Sequence, residues 1–442
     1  MNSRFNLSNP DARYFLAALV VGSLVGIAGG YFHRAIDALS QWPQWLASMA
    51  EGSTQLILSG VITMTITLVC VVIVRRTAPE ASGSGVQEIE GTMAGVRTIR
   101  WRRILPVKFF GGIFSIASGL VLGREGPTIH IGASISAWWA EKNKLEASDH
   151  KGLLAAGAAA GLACAFNAPV ASMIFVTEEM KKQFPYSFRN YMGVGIACVM
   201  STIFTQWIVQ KTPDLKMVLT DSLPSLYLMP AFVVLGAILG ALGVALNKGL
   251  LVASDMNLRW HARIPYSFPA TVGLIVGLLV VVFPDSVTGG ERMIQAFNFN
   301  TPTLGILLLL VITRFFTTTA SYASGVPGGI FAPILSLAMC TGLAFGTVGQ
   351  LLAPEWGINP IVFGIVAMGG LFSASVHAPT VGIVLIAELT GTYSLLLPLT
   401  ITCLSGYIVA KWLGGRPIYE ELLERVLRLS KAEPVSSHET KA

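Results

Sequence analysis

The chain has 442 residues, of which 53% are hydrophobic and only 12% charged, about half the charged fraction of an ordinary soluble domain. Apolar runs recur from end to end, and several approach the ~20 residues needed to cross a bilayer, which excludes an ordinary soluble protein and points to a polytopic membrane protein. The net charge of +6 would point to nucleic acid in a soluble chain; here the cations cluster in loops, as membrane topology requires, so no nucleic-acid partner is expected.

In chain order, Arg4 and Arg13 precede an apolar run at 15–32 that is too long for a signal-peptide core and is expected to be retained. A second run at 56–74 leads into Arg75, Arg76, Arg97, Arg100, Arg102 and Arg103, which put the N-terminus and the 75–103 linker on the cytoplasmic side. Further runs occupy 109–122, 153–165, 191–209, 226–246, 270–283, 304–313, 361–376 and 395–410. The five cysteines (Cys70, Cys164, Cys198, Cys340, Cys403) all lie in apolar stretches without a CxxC pair, so they read as small buried residues.

Part of the chain repeats. AAGAAAGLACAFNAPVASMIFVTEE, ending at Glu179, matches IVAMGGLFSASVHAPTVGIVLIAEL, ending at Leu389; at a spacing of 210, Ala168-Pro169 falls on Ala378-Pro379 and Glu178 on Glu388. GREG (123–126) is set against GVPG (325–328) at a spacing of 202, which gives the second copy about eight extra residues before its next match. Duplicated halves with Pro-interrupted helices point to a transporter whose site lies where broken helices meet. Glu178 and Glu388 pair in this alignment and are expected to have a buried structural role, leaving Glu179 without an acidic counterpart.

Four stretches can form a site: GSGVQEIEG (83–91), GREGP (123–127), GGIFAP (328–333) and RPIY (416–419). The first three share a layout of glycine-rich turn followed by helix, and each such start offers unpaired N–H groups and roughly half a positive charge. Three starts aimed at one point would bind an anion without a cationic side chain that held it too tightly to release. The bland alternatives are a helix capped by Ser84 and a kink at GGIFAP; GSGVQ is no P-loop, because no GK[ST] follows. Glu125 follows a charge-free run and costs ~2.5–3.5 kcal/mol at membrane depth, so it must pair, face water or take a proton. Either it caps a helix dipole or pairs with Arg124, or it competes with an anion for the same helix start and yields when protonated.

Together these motifs resemble the CLC family of chloride channels and chloride/proton antiporters; LPVKFF (105–110), AAGAAAGLACAFNAP and VTEEM are similar to its bacterial antiporter branch. The resemblance runs from about residue 80 to 420. It implies an all-α fold of two inverted-topology halves built from tilted, broken helices, a homodimer surrounded by membrane lipid, and no cofactor beyond bound chloride. It also implies that Ser84 and Tyr419 hydroxyls and the backbone amides at Glu125–Gly126, Ile330 and Phe331 coordinate chloride. Glu125 would be the external gate and Glu179 the internal proton-transfer group, and a carboxylate at 179 favours an antiporter over a passive channel. The alternative for Glu179 is a helix-end charge facing the cytoplasm beside Lys181 and Lys182. Ser84 matches chloride-selecting relatives, whereas Gln87 stands where the family usually has proline.

The expected organisation is 1–80 for the first spans, 81–215 for the first-half core, 216–413 for the inverted second half, and 414–442 for a cytoplasmic helix and tail. Tyr419, Leu422, Leu423, Val426 and Leu427 follow helical spacing and predict an amphipathic helix at the membrane face. Only 23 residues follow Tyr419, no room for nucleotide-sensing CBS domains, so a protein of the bacterial inner membrane is expected. An intramembrane enzyme is disfavoured: Tyr322-Ala323-Ser324-Gly325 lacks the first glycine of GxSG, His377 has no obvious nucleophile, and no HExxH occurs.

Overall fold

The computed structural model describes residues 10–210 and 225–432, which form α-helices with short 3-10 turns and no named strand among the described residues. Arg4 and the expected boundary at 215 lie outside the described residues. In chain order the first half comprises α1 (Pro10–Leu39), α2 (Trp42–Met49), α3 (Gly52–Thr77), α4 (Val86–Met93), α5 (Trp101–Ala117), α6 (Glu125–Lys142), α7 (Ala147–Phe166), α8 (Pro169–Glu178) and α9 (Phe188–Val209). The second comprises α10 (Met229–Arg263), α11 (Ser267–Val282), α12 (Glu291–Phe297), α13 (Leu304–Ala323), α14 (Phe331–Leu352), α15 (Pro360–Val376), α16 (Pro379–Thr390), α17 (Leu396–Trp412) and the C-terminal α18 (Ile418–Ala432). Seven helical segments are long and apolar enough to span a membrane among the described residues; others, such as α8 and α16, are too short and are broken by proline.

The halves pack alike. α1 lies on α9 and α7 as α10 lies on α17 and α15, and α6 lies on α7 as α14 lies on α15. Two elements meet their own counterparts, α3 on α11 and α8 on α16. At the second meeting the caps are exchanged: Glu388 accepts from the N–H groups of Val170 (3.2 Å) and Ala171 (2.9 Å), and Glu178 from those of Thr380 (3.1 Å) and Val381 (2.7 Å). Such reciprocity is the signature of a two-fold relation, and it gives these carboxylates the structural role expected of them, half-buried rather than buried.

Local chemistry explains the breaks. Asn167 (φ 54°) and His377 (φ 64°) end α7 and α15 in the left-handed region, and the following Ala168 and Ala378 are held out of the helix by the proline after them. α6 and α7 approach so closely that a Cβ on Gly132 would overlap the Gly157 carbonyl.

Three expectations change. The true partner of Gly123 is Gly329, not Gly325: the two exchange N–H···O bonds of 2.8 and 2.7 Å. The second copy therefore carries four extra residues rather than eight, and Glu125 stands opposite Phe331. α14, absent from the expected apolar runs, is a full span. α18 forms as predicted, but Tyr419, Leu422 and Leu423 are buried, with α18 packed on α4 rather than laid on the membrane face.

Candidate functional site

The site is assembled by backbone before any side chain is considered. Gly83 donates to Val326 and accepts from Gly328, both at 3.0 Å, which ties the loop before α4 to the loop before α14. The Gly123–Gly329 exchange ties the loop before α6 to the same place. Gly126 must be glycine here, since a Cβ would lie 2.5 Å from Ser84 Oγ and 3.0 Å from Gly329 Cα. The starts of α4, α6 and α14 thus meet at Ser84, Gly126 and Gly329. None of the three has a side-chain cap, so their first N–H groups point into the junction unclaimed by a capping residue.

Around this junction the buried polar atoms lack partners. Ser84 Oγ, Tyr419 Oη and both oxygens of Glu125 are buried and complete no hydrogen bond within the protein among the described residues. Burying such groups without partners costs about 1–3 kcal/mol each, which selection tolerates where a substrate supplies the partner. The backbone N–H groups nearest the Glu125 carboxylate are its own and that of Ala332 in the first turn of α14. The Tyr419 ring stacks beside Phe331 (6.1 Å between centroids), and its hydroxyl faces Ser84 within electrostatic reach of both Glu125 and Glu179. Every expected chloride-binding residue (Ser84, Gly126, Ile330, Phe331, Tyr419) is therefore at or beside one junction. The Ser84-cap alternative fails: Gly85 (φ 92°) occupies the N-cap position, and Ser84 caps nothing. Gln87 turns its side chain back instead, accepting from the Gly85 N–H at 3.2 Å.

Glu179 is separate from this junction. It caps the C-terminal end of α8, half-buried, and lines a cavity of about 340 Å³ together with Glu90, Lys181, His377, Lys411 and Glu420. Lys182, on the same wall, pairs with Glu420. Glu90 is 4% exposed and is the strongest electrostatic neighbour of Glu179. Tyr419 is within electrostatic reach of both the junction and Glu179.

The sequence reading missed two buried cations. Lys108 is fully buried and donates to the carbonyls of Ala81 (3.0 Å) and Gly83 (2.6 Å), clasping the loop that carries Ser84. Arg314, equally buried, donates to the carbonyls of Asp285 (2.9 Å) and Val287 (2.9 Å) and to Ser336 Oγ (2.8 Å), clasping the loop before α12. A cation at the very edge of an apolar stretch, Lys108 before 109–122 and Arg314 after 304–313, was the available signal. Both are held mainly by carbonyl oxygens rather than by carboxylates.

Comparison with known proteins bears directly on this arrangement. The family model described as voltage gated chloride channel matches residues 66–411. The H(+)/Cl(-) exchange transporter ClcA of Vibrio parahaemolyticus is 42% identical over 430 residues, spanning 96% of this chain and 92% of that protein. The ClcA of Salmonella arizonae is 36% identical over 440 residues, spanning 96% and 91%. Among solved structures, a slow cyanobacterial Cl-/H+ antiporter superimposes with a TM-score of 0.89 at 34% identity, covering 95% of this chain and 99% of that one. A eukaryotic CLC transporter shares the fold, with a TM-score of 0.78 at 22% identity over 93% of this chain and 74% of that one.

Proposed function

This chain belongs to the voltage gated chloride channel family, whose H(+)/Cl(-) exchangers are transporters and not enzymes, and we propose that it exchanges chloride for protons with Glu125 as external gate and Glu179 as internal proton-transfer group. The observation that carries the reading is the Glu125 carboxylate: buried, without a completed hydrogen bond, and beside the N–H of Ala332 where three uncapped helix starts meet.

Chloride and this carboxylate want the same thing, a cluster of backbone N–H groups at positive helix ends. Both cannot occupy it. While Glu125 is ionised it fills the outer part of the junction as a tethered anion. A proton arriving from outside removes its charge and its claim on the donors, so the side chain leaves and chloride enters. Further in, chloride is held by the Ser84 and Tyr419 hydroxyls and the amides of Ile330 and Phe331. The proton continues toward Glu179 and the cavity it shares with Glu90, while chloride moves the opposite way. Because dipoles rather than a full cation hold the anion, binding is weak enough for release. Lys108 holds the Ser84 loop in place and adds field without touching the anion. By retaining an N–H donor at position 87 and engaging Gly85, Gln87 tunes anion preference. The protein works as a multi-pass homodimer of the bacterial inner membrane, one pathway per subunit.

The test is paired fluxes in proteoliposomes. Glu179→Gln keeps chloride flux and abolishes chloride-driven proton uptake; undiminished proton pumping assigns the internal role elsewhere. Glu125→Gln abolishes proton coupling and makes chloride flux insensitive to pH, whereas the unaltered protein transports faster as external pH falls, because acid protonates the gate. A passive channel, the second reading, would show no chloride-driven proton movement even without substitution.

A further inference from the structure

α3 and α5 do not close against each other along their whole length. Between them runs an apolar cavity of about 440 Å³, lined by Ile66, Val69 and Ile73 on one wall and Val107, Phe110 and Phe114 on the other. Pro106 lies inside α5 on this face, and the two helices meet where Cys70 Sγ approaches the Gly111 carbonyl at 3.8 Å. Phe110 and Phe114 are 59% and 48% exposed, so the groove opens outward rather than into the core. From Thr65 to Val74 it runs for roughly 14 Å of helix rise.

Each wall ends in an arginine on its own stripe. Ile66, Val69, Ile73 and Arg76 follow i, i+3, i+7, i+10 on α3, and Arg103, Val107, Phe110 and Phe114 follow i, i+4, i+7, i+11 on α5. Both arginines are exposed at the same end of the groove, because α3 finishes there and α5 begins there. Their neighbours are engaged: Arg75 bonds His261 Nδ1 at 2.6 Å, and Arg102 pairs with Glu141 at 3.2 Å over the Trp101 ring. Arg76 and Arg103 have no side-chain hydrogen bond or ion pair among the described residues. Their arginine-rich surroundings put this end on the cytoplasmic side, where the leaflet carries anionic lipid.

We propose that this groove binds an anionic phospholipid, with one acyl chain between α3 and α5 and the phosphate clamped by Arg76 and Arg103. A phosphate suits two guanidinium forks converging from different helices, and the apolar walls supply what a soluble phosphate could not use. The far side of α5 carries Lys108, which holds the Ser84 loop, so an occupant of the groove braces the helix that anchors the anion site.

Native mass spectrometry of the full chain in detergent, titrated with phosphatidylglycerol and phosphatidylcholine, tests this. Phosphatidylglycerol should bind in preference, and Arg76→Gln with Arg103→Gln should weaken it roughly 5-fold each and ~30-fold together. Val69→Trp, which fills the groove without altering charge, should weaken both lipids alike; chloride flux confirms that each variant is folded, and Ile73→Trp serves if Val69→Trp is not. Glycerol phosphate, which has no acyl chains, should not compete. Unchanged phosphatidylglycerol binding in the double arginine variant and in the filled groove overturns the proposal, as does effective competition by glycerol phosphate.

Discussion

The two halves of this molecule are built on one plan, and the positions where they agree do different work from those where they differ. Gly85 and Gly290 both cap the short helices α4 and α12 in the left-handed region, Pro127 and Pro333 both sit in the first turn of α6 and α14, and Glu178 and Glu388 cap each other's helices. Lys108 and Arg314 both clasp the loop before a short helix. Against this agreement, Glu125 faces Phe331 as its counterpart, Glu179 faces Leu389, and Ser84 faces Gly289. The shared residues hold the scaffold. The unshared ones are those that the proposed exchange of chloride for protons assigns to transport, and the predictions below set one class against the other.

The largest effect should come from erasing an asymmetry. Glu179→Leu gives the first half the residue found at the matching position, Leu389, in the last turn of α16, so folding should survive while chloride-driven proton uptake falls by at least about 100-fold, measured against retained chloride flux. Next comes a symmetric pair. Glu178→Ala and Glu388→Ala each strip two N–H groups of their acceptor, and each should lower unfolding stability by about 1–3 kcal/mol. The informative quantity is the ratio, because the two-fold relation demands similar losses in thermal denaturation; a large loss in one alone would mean the caps are not equivalent.

Much of this plan was legible in the sequence, and the reasons for the failures are physical. The Ala-Pro breaks were readable because proline leaves the backbone few choices, and the same few choices recur in both halves. The register of GREG was misread by four residues because its true counterpart, Gly329-Ile330-Phe331, shares only backbone needs with it: Arg-Glu and Ile-Phe have no chemistry in common, while Gly325 imitates the glycine. α14 was missed although its mean hydropathy of 1.7 equals that of α13, so its composition did not hide it. The reach of α10 to Arg263 was missed because its last turns are polar, held by pairs such as Asp255–Arg425 at 2.9 Å rather than by an apolar run. The residues of the junction could be named from the sequence because glycine-rich helix starts and an isolated carboxylate after a charge-free run announce themselves. Lys108 and Arg314 were passed over because a cation that only clasps carbonyls has no partner motif to read.

A smaller effect is expected where the copies differ by one methyl group. Gly126 has Ala332 as its counterpart, and Gly126→Ala would press a Cβ to 2.5 Å from Ser84 Oγ and 2.8 Å from Ser84 Cα. The loop and helix must separate slightly, a shift of the kind that typically costs 1–3 kcal/mol in a packed core. Chloride affinity should fall about 10-fold with proton coupling intact. Should affinity hold while coupling fails, the Gly126–Ser84 contact belongs to the gate rather than to the anion site.

The smallest effect belongs to α18, which has no counterpart among the described residues of the first half and brings Tyr419 to the junction. The Arg416 guanidinium hydrogen-bonds Glu424 and holds its carboxyl below the ordinary value. A depressed carboxyl stabilises the folded state above its unfolded pKa of about 4.3, and that contribution disappears as pH falls through the still lower folded value. Both side chains are about half exposed, so solvent screening limits the pair to ~0.2–1 kcal/mol. Glu424→Gln should therefore lower thermal stability slightly at pH 7, and the deficit should vanish in acid once pH falls below the depressed folded value and shrink in high salt. Chloride flux should be untouched, because Tyr419 is fixed by its burial against Phe331 and not by this pair. A loss of flux with the small stability change would mean that α18 needs its outer turn to aim the tyrosine, and the asymmetric element would then be as much scaffold as site.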